Sequence, residues 1–242
     1  IMAQAFQVAD RIVVIRQGRE KYKTTDVPFV TADITGALSL LPDTLGTSVS
    51  ALNDKKAMEL RDANKTHMRV IRSQPTDSVL SPMMHRSDNF FAEQSLLMVS
   101  QERLGVMNDD RIIDTLLKTD LKDLPQTPHW VDGSGLSRYN LFSPQDFVTI
   151  LGKMKSEFGM ERIKKILPTG GTGTLGSLYK KDAGYIFAKT GTLSGVVALS
   201  GFVYTKKNKL LIFSVLVNNH QATATAVRKA VEKFITGLRE SY

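Results

Sequence analysis

The chain has 242 residues, with 32 Lys and Arg against 24 Asp and Glu (net +8), 42% hydrophobic and 23% charged side chains, and no cysteine. Such a composition suits a folded chain of one large domain or two small ones and excludes disorder, collagen and coiled coil. The lack of cysteine excludes a disulfide scaffold, a zinc–thiolate or iron–sulfur site and a cysteine nucleophile together. Wholly apolar runs such as Ile12 to Ile15 fall far short of the ~18 to 20 residues that span a bilayer. Lysines come as scattered doublets (Lys55-Lys56, Lys164-Lys165, Lys180-Lys181, Lys206-Lys207) without interleaved aromatics, a basic surface rather than a nucleic-acid footprint.

In chain order, β-branched Arg11 to Arg16, a turn at Gln17-Gly18 and a return over Lys21-Tyr22-Lys23 predict a hairpin. Short strands are expected at Phe29-Val30-Thr31 and Met68 to Ile71, with turn chemistry at Pro42-Asp43, Gly46 and Asn53-Asp54. Near Ser73-Gln74-Pro75 the pattern turns helical. Phe90, Leu97 and Leu104, with Phe91 and Met98, give Asp88 to Leu104 one apolar face. Ser143-Pro144-Gln145-Asp146 reads as a helix start, with Phe147, Ile150, Leu151 and Met154 as its stripe, and Met160 to Leu167 is a shorter helix stopped by Pro168. Tyr185 to Ala188 runs into Lys189-Thr190-Gly191-Thr192 as a strand. Val196 to Tyr204 and Leu210 to Val217 flank Lys206-Lys207-Asn208 as a β-hairpin, and a last helix presents Val227, Val231, Phe234 and Leu238. The fold class is therefore α+β: a small β-rich region over 1–75, then helices and an antiparallel sheet over 76–242.

Two short motifs carry chemistry. Ser87-Asp88-Asn89 precedes a helix and Lys189-Thr190-Gly191-Thr192 lies on a strand, the order of the second and third elements of serine acyl-transfer sites. An ammonium and two hydroxyls suit a substrate carboxylate, since charge-assisted bonds are the strong ones. Gly191 lets a substrate lie against the strand edge and pair with its backbone. Ser87 can carry a proton between a base and a leaving amine, and Asn89 can both donate to and accept from a substrate amide.

Around these motifs the chain resembles the penicillin-binding D-alanyl-D-alanine carboxypeptidases and endopeptidases whose first and second motifs are separated by inserted domains. The resemblance rests on Pro82 to Gln94 around the second motif, on Asp132-Gly133-Ser134-Gly135-Leu136-Ser137-Arg138-Tyr139-Asn140, and on Gly173-Thr174-Leu175 followed by Ala188 to Leu193. It covers roughly residues 80 to 217 and is faint over 1–75.

The resemblance implies part of a serine β-lactamase/transpeptidase-like domain, an antiparallel sheet between helices, after the end of a β-rich insertion. It implies Ser87, Asn89 and Lys189 as catalytic residues and Thr190, Gly191 and Thr192 as substrate-binding residues. The reaction would be acyl transfer on peptidoglycan peptides ending in D-Ala-D-Ala, blocked by β-lactams, in the periplasm or cell envelope, with no metal or organic cofactor. The family's nucleophile belongs to a Ser-x-x-Lys motif upstream of the inserted domains, so this chain reads as a C-terminal portion without it. The literal match Ser177-Leu178-Tyr179-Lys180 is out of order and reads as chance.

Other classes stay open: a peptidoglycan-binding module that has lost its serine, or a β-lactamase or esterase on the same scaffold. Ser134 lacks the flanking glycines of a nucleophile elbow and reads as part of a turn that positions its neighbours, with Asp132 still within reach of the cleft. His67, His85, His129 and His220 show no metal-ligand spacing, though His85 is close enough to Ser87 to affect the cleft. Gly170 to Gly173 is expected as a mobile loop, and Trp130 as core.

Overall fold

A computed structural model describes residues 75–242 in full and, before them, the backbone of four strands. The chain divides into two compact units, Ile1–Pro75 and Thr76–Tyr242. In the first, β1 (Val13–Gln17), β2 (Lys21–Thr25), β3 (Ser48–Leu52) and β4 (Met68–Val70) form a sheet in the order β3-β2-β1-β4. β1 pairs antiparallel with β2, Val13 facing Thr25, and with β4, while β2 and β3 are parallel. The strand expected at Phe29 to Thr31, the turns around Gly18, Pro42, Gly46 and Asn53, and His67 lie outside the described residues.

The second unit runs α1 (Asp77–Arg86), α2 (Asn89–Leu104), α3 (Asp109–Lys118), α4 (Pro144–Ile166), β5 (Ile186–Leu193), β6 (Val196–Tyr204), β7 (Leu210–Asn218) and α5 (Ala224–Ser241). The last three strands form an antiparallel sheet in the order β5-β6-β7. Helices cover both of its faces, which is why these strands read as nearly continuous apolar runs rather than as alternating ones. On one face α5 places Val231 and Ile235 against Ala188, Leu199, Val203 and Phe213. On the other, Leu151, Ile163 and Leu167 from α4 and its end, with Met84 of α1, meet Phe187 and Phe202. This is the expected arrangement of sheet and flanking helices. A separate cluster of Leu96, Ile112 and Ile113 joins α2 to α3, with Trp130 packed against it. No helix of the described residues is long and apolar enough to cross a membrane.

Local chemistry explains the element ends. Ser143 and Asp146 close a capping box: the Ser143 hydroxyl accepts from Asp146 N–H at 3.1 Å, and the Asp146 carboxylate accepts from Ser143 N–H at 2.8 Å. Burial alone would raise the Asp146 pKa, yet the Ser143 bonds and that from Gln126 N–H hold it below the usual carboxylate range. Gly159, with φ 71° and ψ 157°, breaks α4, so the expected short helix from Met160 is its second segment.

Two helix faces differ from expectation. In α2 the buried positions are Leu96 and Ser100, while Phe90 is 51% exposed. A polar residue holds the inward position because the Ser100 hydroxyl donates to the Val106 and Asn108 carbonyls and accepts from Asn108 N–H, fixing the α2–α3 corner. In α5, Ile235 is fully buried and Phe234 is 57% exposed. Both lie within one turn of Val231, and packing against the sheet selects Ile235. The sequence reading also missed α3, capped by Asn108, whose side chain accepts from Arg111 N–H at 2.8 Å.

Candidate active site

Ser87 ends α1 in the left-handed conformation (φ 52°, ψ 53°), one of four non-glycine residues with positive φ among those described. A serine there is held by its surroundings, since L-residues rarely adopt this region. The reversal lets Asp88 cap α2, its carboxylate accepting from Phe91 N–H at 3.0 Å. The cap is thus Asp88 rather than Ser87 or Asn89, and the Ser87 hydroxyl is left for another partner.

That partner is Lys189. Its ammonium donates to Ser87 Oγ across 102 positions of sequence and to the Thr190 carbonyl at 2.7 Å. An ammonium carries only donors, so the serine oxygen accepts and its own proton is free to be donated elsewhere. Burial lowers the Lys189 pKa from its ordinary value.

Contacts on either side set the register of this pair. Arg162 of α4 grips Asp77 at the start of α1 with bonds of 2.7 to 3.2 Å. Gly173 lies so close to the end of α1 that a Cβ there would sit 2.8 Å from the His85 carbonyl oxygen. The same loop reaches β5, where Ala188 N–H donates to the Pro168 carbonyl at 3.0 Å. Gly170 to Gly173, expected as a mobile loop, is therefore a packed turn. Gly171 N–H donates to the Leu175 and Leu178 carbonyls, and a Cβ on buried Gly170 would lie 2.0 Å from the Tyr179 carbonyl oxygen.

Strand alternation divides the lysine motif. Phe187 packs on the α4 side and Ala188 on the α5 side, so Lys189 shares a face with α1 while Thr190 and Thr192 share one with α5. Lys189 and the two hydroxyls, expected to grip one carboxylate together, approach from opposite faces. What they share is the strand edge. Because Ala188 N–H points away from β6, so do the backbone groups of Thr190 and Thr192. Among the described residues no strand pairs with that edge. Asn89 is exposed on the first turn of α2, and no described hydrogen bond joins it to Ser87 or Lys189.

The Asp132–Asn140 segment folds on itself. Asp132 accepts from Gly135 N–H at 2.5 Å, Ser137 N–H at 2.7 Å and the Asn140 amide at 3.0 Å, so its carboxylate organises a turn. Ser134 belongs to that turn. Glu93 of α2 clamps it, accepting from Gly133 N–H at 3.0 Å and Ser134 N–H at 3.1 Å. Arg138 donates to the Ser194 carbonyl at 3.0 Å, joining the turn to the β5–β6 connection. Trp130 Nε1 donates to the Asp132 carbonyl at 2.7 Å, a core and scaffold role.

Ser177 and Lys180 are both exposed, and no hydrogen bond between them is described. His129 and His220 contact the backbone carbonyls of Tyr139 and Ala222. No three His, Asp or Glu side chains among the described residues converge closely enough to hold a metal ion. Sequence reasoning assigned no role to Glu93, Arg138 or Arg228, the last of which donates to Thr192 Oγ1 at 2.7 Å. Only the helical spacing of Asn89 and Glu93, four residues apart on one face, was a legible signal.

Comparison with known proteins gives concordant results. The family model described as D-Ala-D-Ala carboxypeptidase 3 (S13) matches residues 20–238. A D-alanyl-D-alanine carboxypeptidase of Actinomadura sp. is 34% identical over 168 residues, 63% of this chain and 30% of that protein. The fold is similar to penicillin binding protein 4 of Haemophilus influenzae, solved in complex with a β-lactam (TM-score 0.61, 17% identity, 88% of this chain and 53% of that one). It is also similar to a penicillin G-acylated predatory endopeptidase of Bdellovibrio bacteriovorus (TM-score 0.59, 13% identity, 98% of this chain and 83% of that one). The chain spans about a third of the length of the first curated relatives it matches, 30% and 38%.

Proposed function

The chain belongs to the D-Ala-D-Ala carboxypeptidase 3 (S13) family, and from that premise we propose that the whole protein is a serine D,D-peptidase of the cell envelope acting on peptidoglycan peptides. The observation that carries this reading is the Lys189–Ser87 hydrogen bond beside the open edge of β5.

In the proposed reaction a serine hydroxyl attacks the carbonyl between two terminal D-alanines, and an ester forms as the C–N bond breaks. The attacking hydroxyl gives its proton to a general base, assigned to the lysine of the same Ser-x-x-Lys motif. Ser87 passes its own proton to the departing amine and regains one from that base, and water then hydrolyses the ester. Lys189 keeps the Ser87 oxygen in its accepting role and adds positive charge at the cleft. Thr190 and Thr192 hold the terminal carboxylate, Gly191 admits the substrate to the strand edge, and Asn89 orients its amide.

The acylated serine is assigned to chain preceding the present sequence, as the motif order requires. Residues 76–242 are assigned to the C-terminal part of the catalytic domain and 1–75 to the end of a β-rich insertion. β-Lactams, one of which acylates the Bdellovibrio endopeptidase, are expected to trap the same serine.

The test is benzylpenicillin acylation of the full-length protein. Lys189→Ala should slow it by more than about tenfold, as loss of a charge-assisted contact suggests. Unchanged acylation refutes the role of Lys189. Rapid turnover of a chromogenic cephalosporin without release of D-alanine from peptides indicates a β-lactamase instead.

A further inference from the structure

Arg228 has no role in the reaction outlined above. It stands on the second turn of α5, and its Nη2 donates to Thr192 Oγ1 at 2.7 Å. The side chain lines one recess with Thr190 and Val231. Lys189 meets the same stretch of β5 from the opposite face. Two cations therefore bracket one open strand edge, and no described salt bridge engages either of them. Glu232, one helical turn beyond Arg228 and the acid best placed to neutralise it, is instead taken by Tyr179 N–H at 2.5 Å. Positive charges left without acids beside a row of donors form an anion site.

The Arg228 bond also has a direction. A guanidinium only donates, so Thr192 Oγ1 must accept, which leaves the Thr192 O–H to donate outward. The outward N–H of Thr192 and the remaining guanidinium N–H groups add further donors at the same edge, a set that suits the two oxygens of a carboxylate.

We infer that Arg228 makes this site selective for substrates whose leaving residue carries a free α-carboxylate. It acts as a positioning residue that fixes the Thr192 hydroxyl as a donor and supplies the second cation. The inference rests on the D,D-peptidase reading for the identity of the ligand.

The test compares a peptide ending in D-Ala-D-Ala with its C-terminal amide on the full-length protein. The unaltered protein should favour the acid by more than about tenfold in kcat/KM. Arg228→Gln should lose about tenfold on the acid, chiefly through KM, and less than about twofold on the amide. Arg228→Lys, which keeps the charge but not the planar fork, should fall between. Equal losses on acid and amide, or an unchanged acid-to-amide ratio, overturn the inference.

Calorimetric binding of the two peptides separates this inference from the reading beneath it. Acid preference in binding that Arg228→Gln abolishes, in a protein that cleaves neither peptide, keeps Arg228 as the carboxylate selector and refutes the peptidase. Binding of acid and amide alike refutes the role of Arg228, whether or not either is cleaved.

Discussion

Glu93→Gln probes the clamp between α2 and the Asp132 turn with almost no change of shape. In the native protein one carboxylate accepts two backbone N–H bonds, from Gly133 at 3.0 Å and Ser134 at 3.1 Å. A glutamine keeps a single accepting oxygen, and its NH₂ must face the other N–H. Hydrogen bonds to a charged group contribute about 1.5 to 3 kcal/mol, neutral ones about 1, and an N–H left unmade costs about 1 to 3. One bond loses its charge assistance and the other is replaced by an opposed donor pair. Water reaches these half-buried amides, which favours the low end, so the expected destabilisation is about 2 kcal/mol. For a unit of this size that corresponds to roughly 4 to 8 °C in melting temperature.

The assay is urea and thermal unfolding of both proteins, with amide exchange followed at Gly133 and Ser134. Both amides should exchange faster in the variant. A change below about 0.5 kcal/mol, the range of ordinary surface substitutions, with unaltered exchange at those amides would refute the clamp. Gly133 approaches α2 so closely that a Cβ would lie 2.8 Å from the Ala92 carbonyl oxygen, so the clamp works at backbone contact distance.

Two further perturbations follow from the sheet. Lys189→Met removes an ammonium whose pKa burial lowers, together with its bonds to Ser87 Oγ and the Thr190 carbonyl, so the variant should lose both acylation and one source of pH-dependent stability. A folded-state pKa below the ordinary value of 10.5 means that the unfolded chain binds more protons between the two values, so native stability rises with pH across that window. The stability of the native protein relative to Lys189→Met should accordingly rise as pH approaches 10.5, and a difference in urea midpoint that does not change with pH would contradict this. Gly201→Ala should cost more than about 3 kcal/mol or abolish folding, because its Cβ would lie 2.2 Å from the Phe187 carbonyl oxygen and 2.6 Å from Ala188 Cα. Near-native thermal unfolding of that variant would show that β5 and β6 can separate without loss.

Much of the sheet was legible because its strands are bounded by strong local signals. Gly195 and Asn208 take positive φ at the turns where β5 meets β6 and β6 meets β7, and the apolar runs between them are too short for helices. The capping box at Ser143 was legible for the same reason, since all its partners lie within three residues. The inward faces of α2 and α5 were less legible. Successive helical residues differ by about 100° in direction, so Phe234 and Ile235 both fit a periodic stripe. Only contact with Val203 and Phe213 selects Ile235.

The same division runs through the site. The sequence by itself marked the candidates for acyl-transfer chemistry, because Ser87-Asp88-Asn89 and Lys189-Thr190-Gly191-Thr192 are contiguous motifs whose residue types are their own signal. It also marked a separate helical segment from Met160 and its stop at Pro168, a backbone property of proline. Only the tertiary structure decided that the Lys189 ammonium meets the Ser87 hydroxyl, which faces of the sheet Lys189 and the two threonines share, that Arg228 bonds Thr192 from α5, and that Glu93 clamps the Asp132 turn. Each of these depends on contacts between elements distant in sequence, and such contacts leave no periodicity or spacing to be read along the chain.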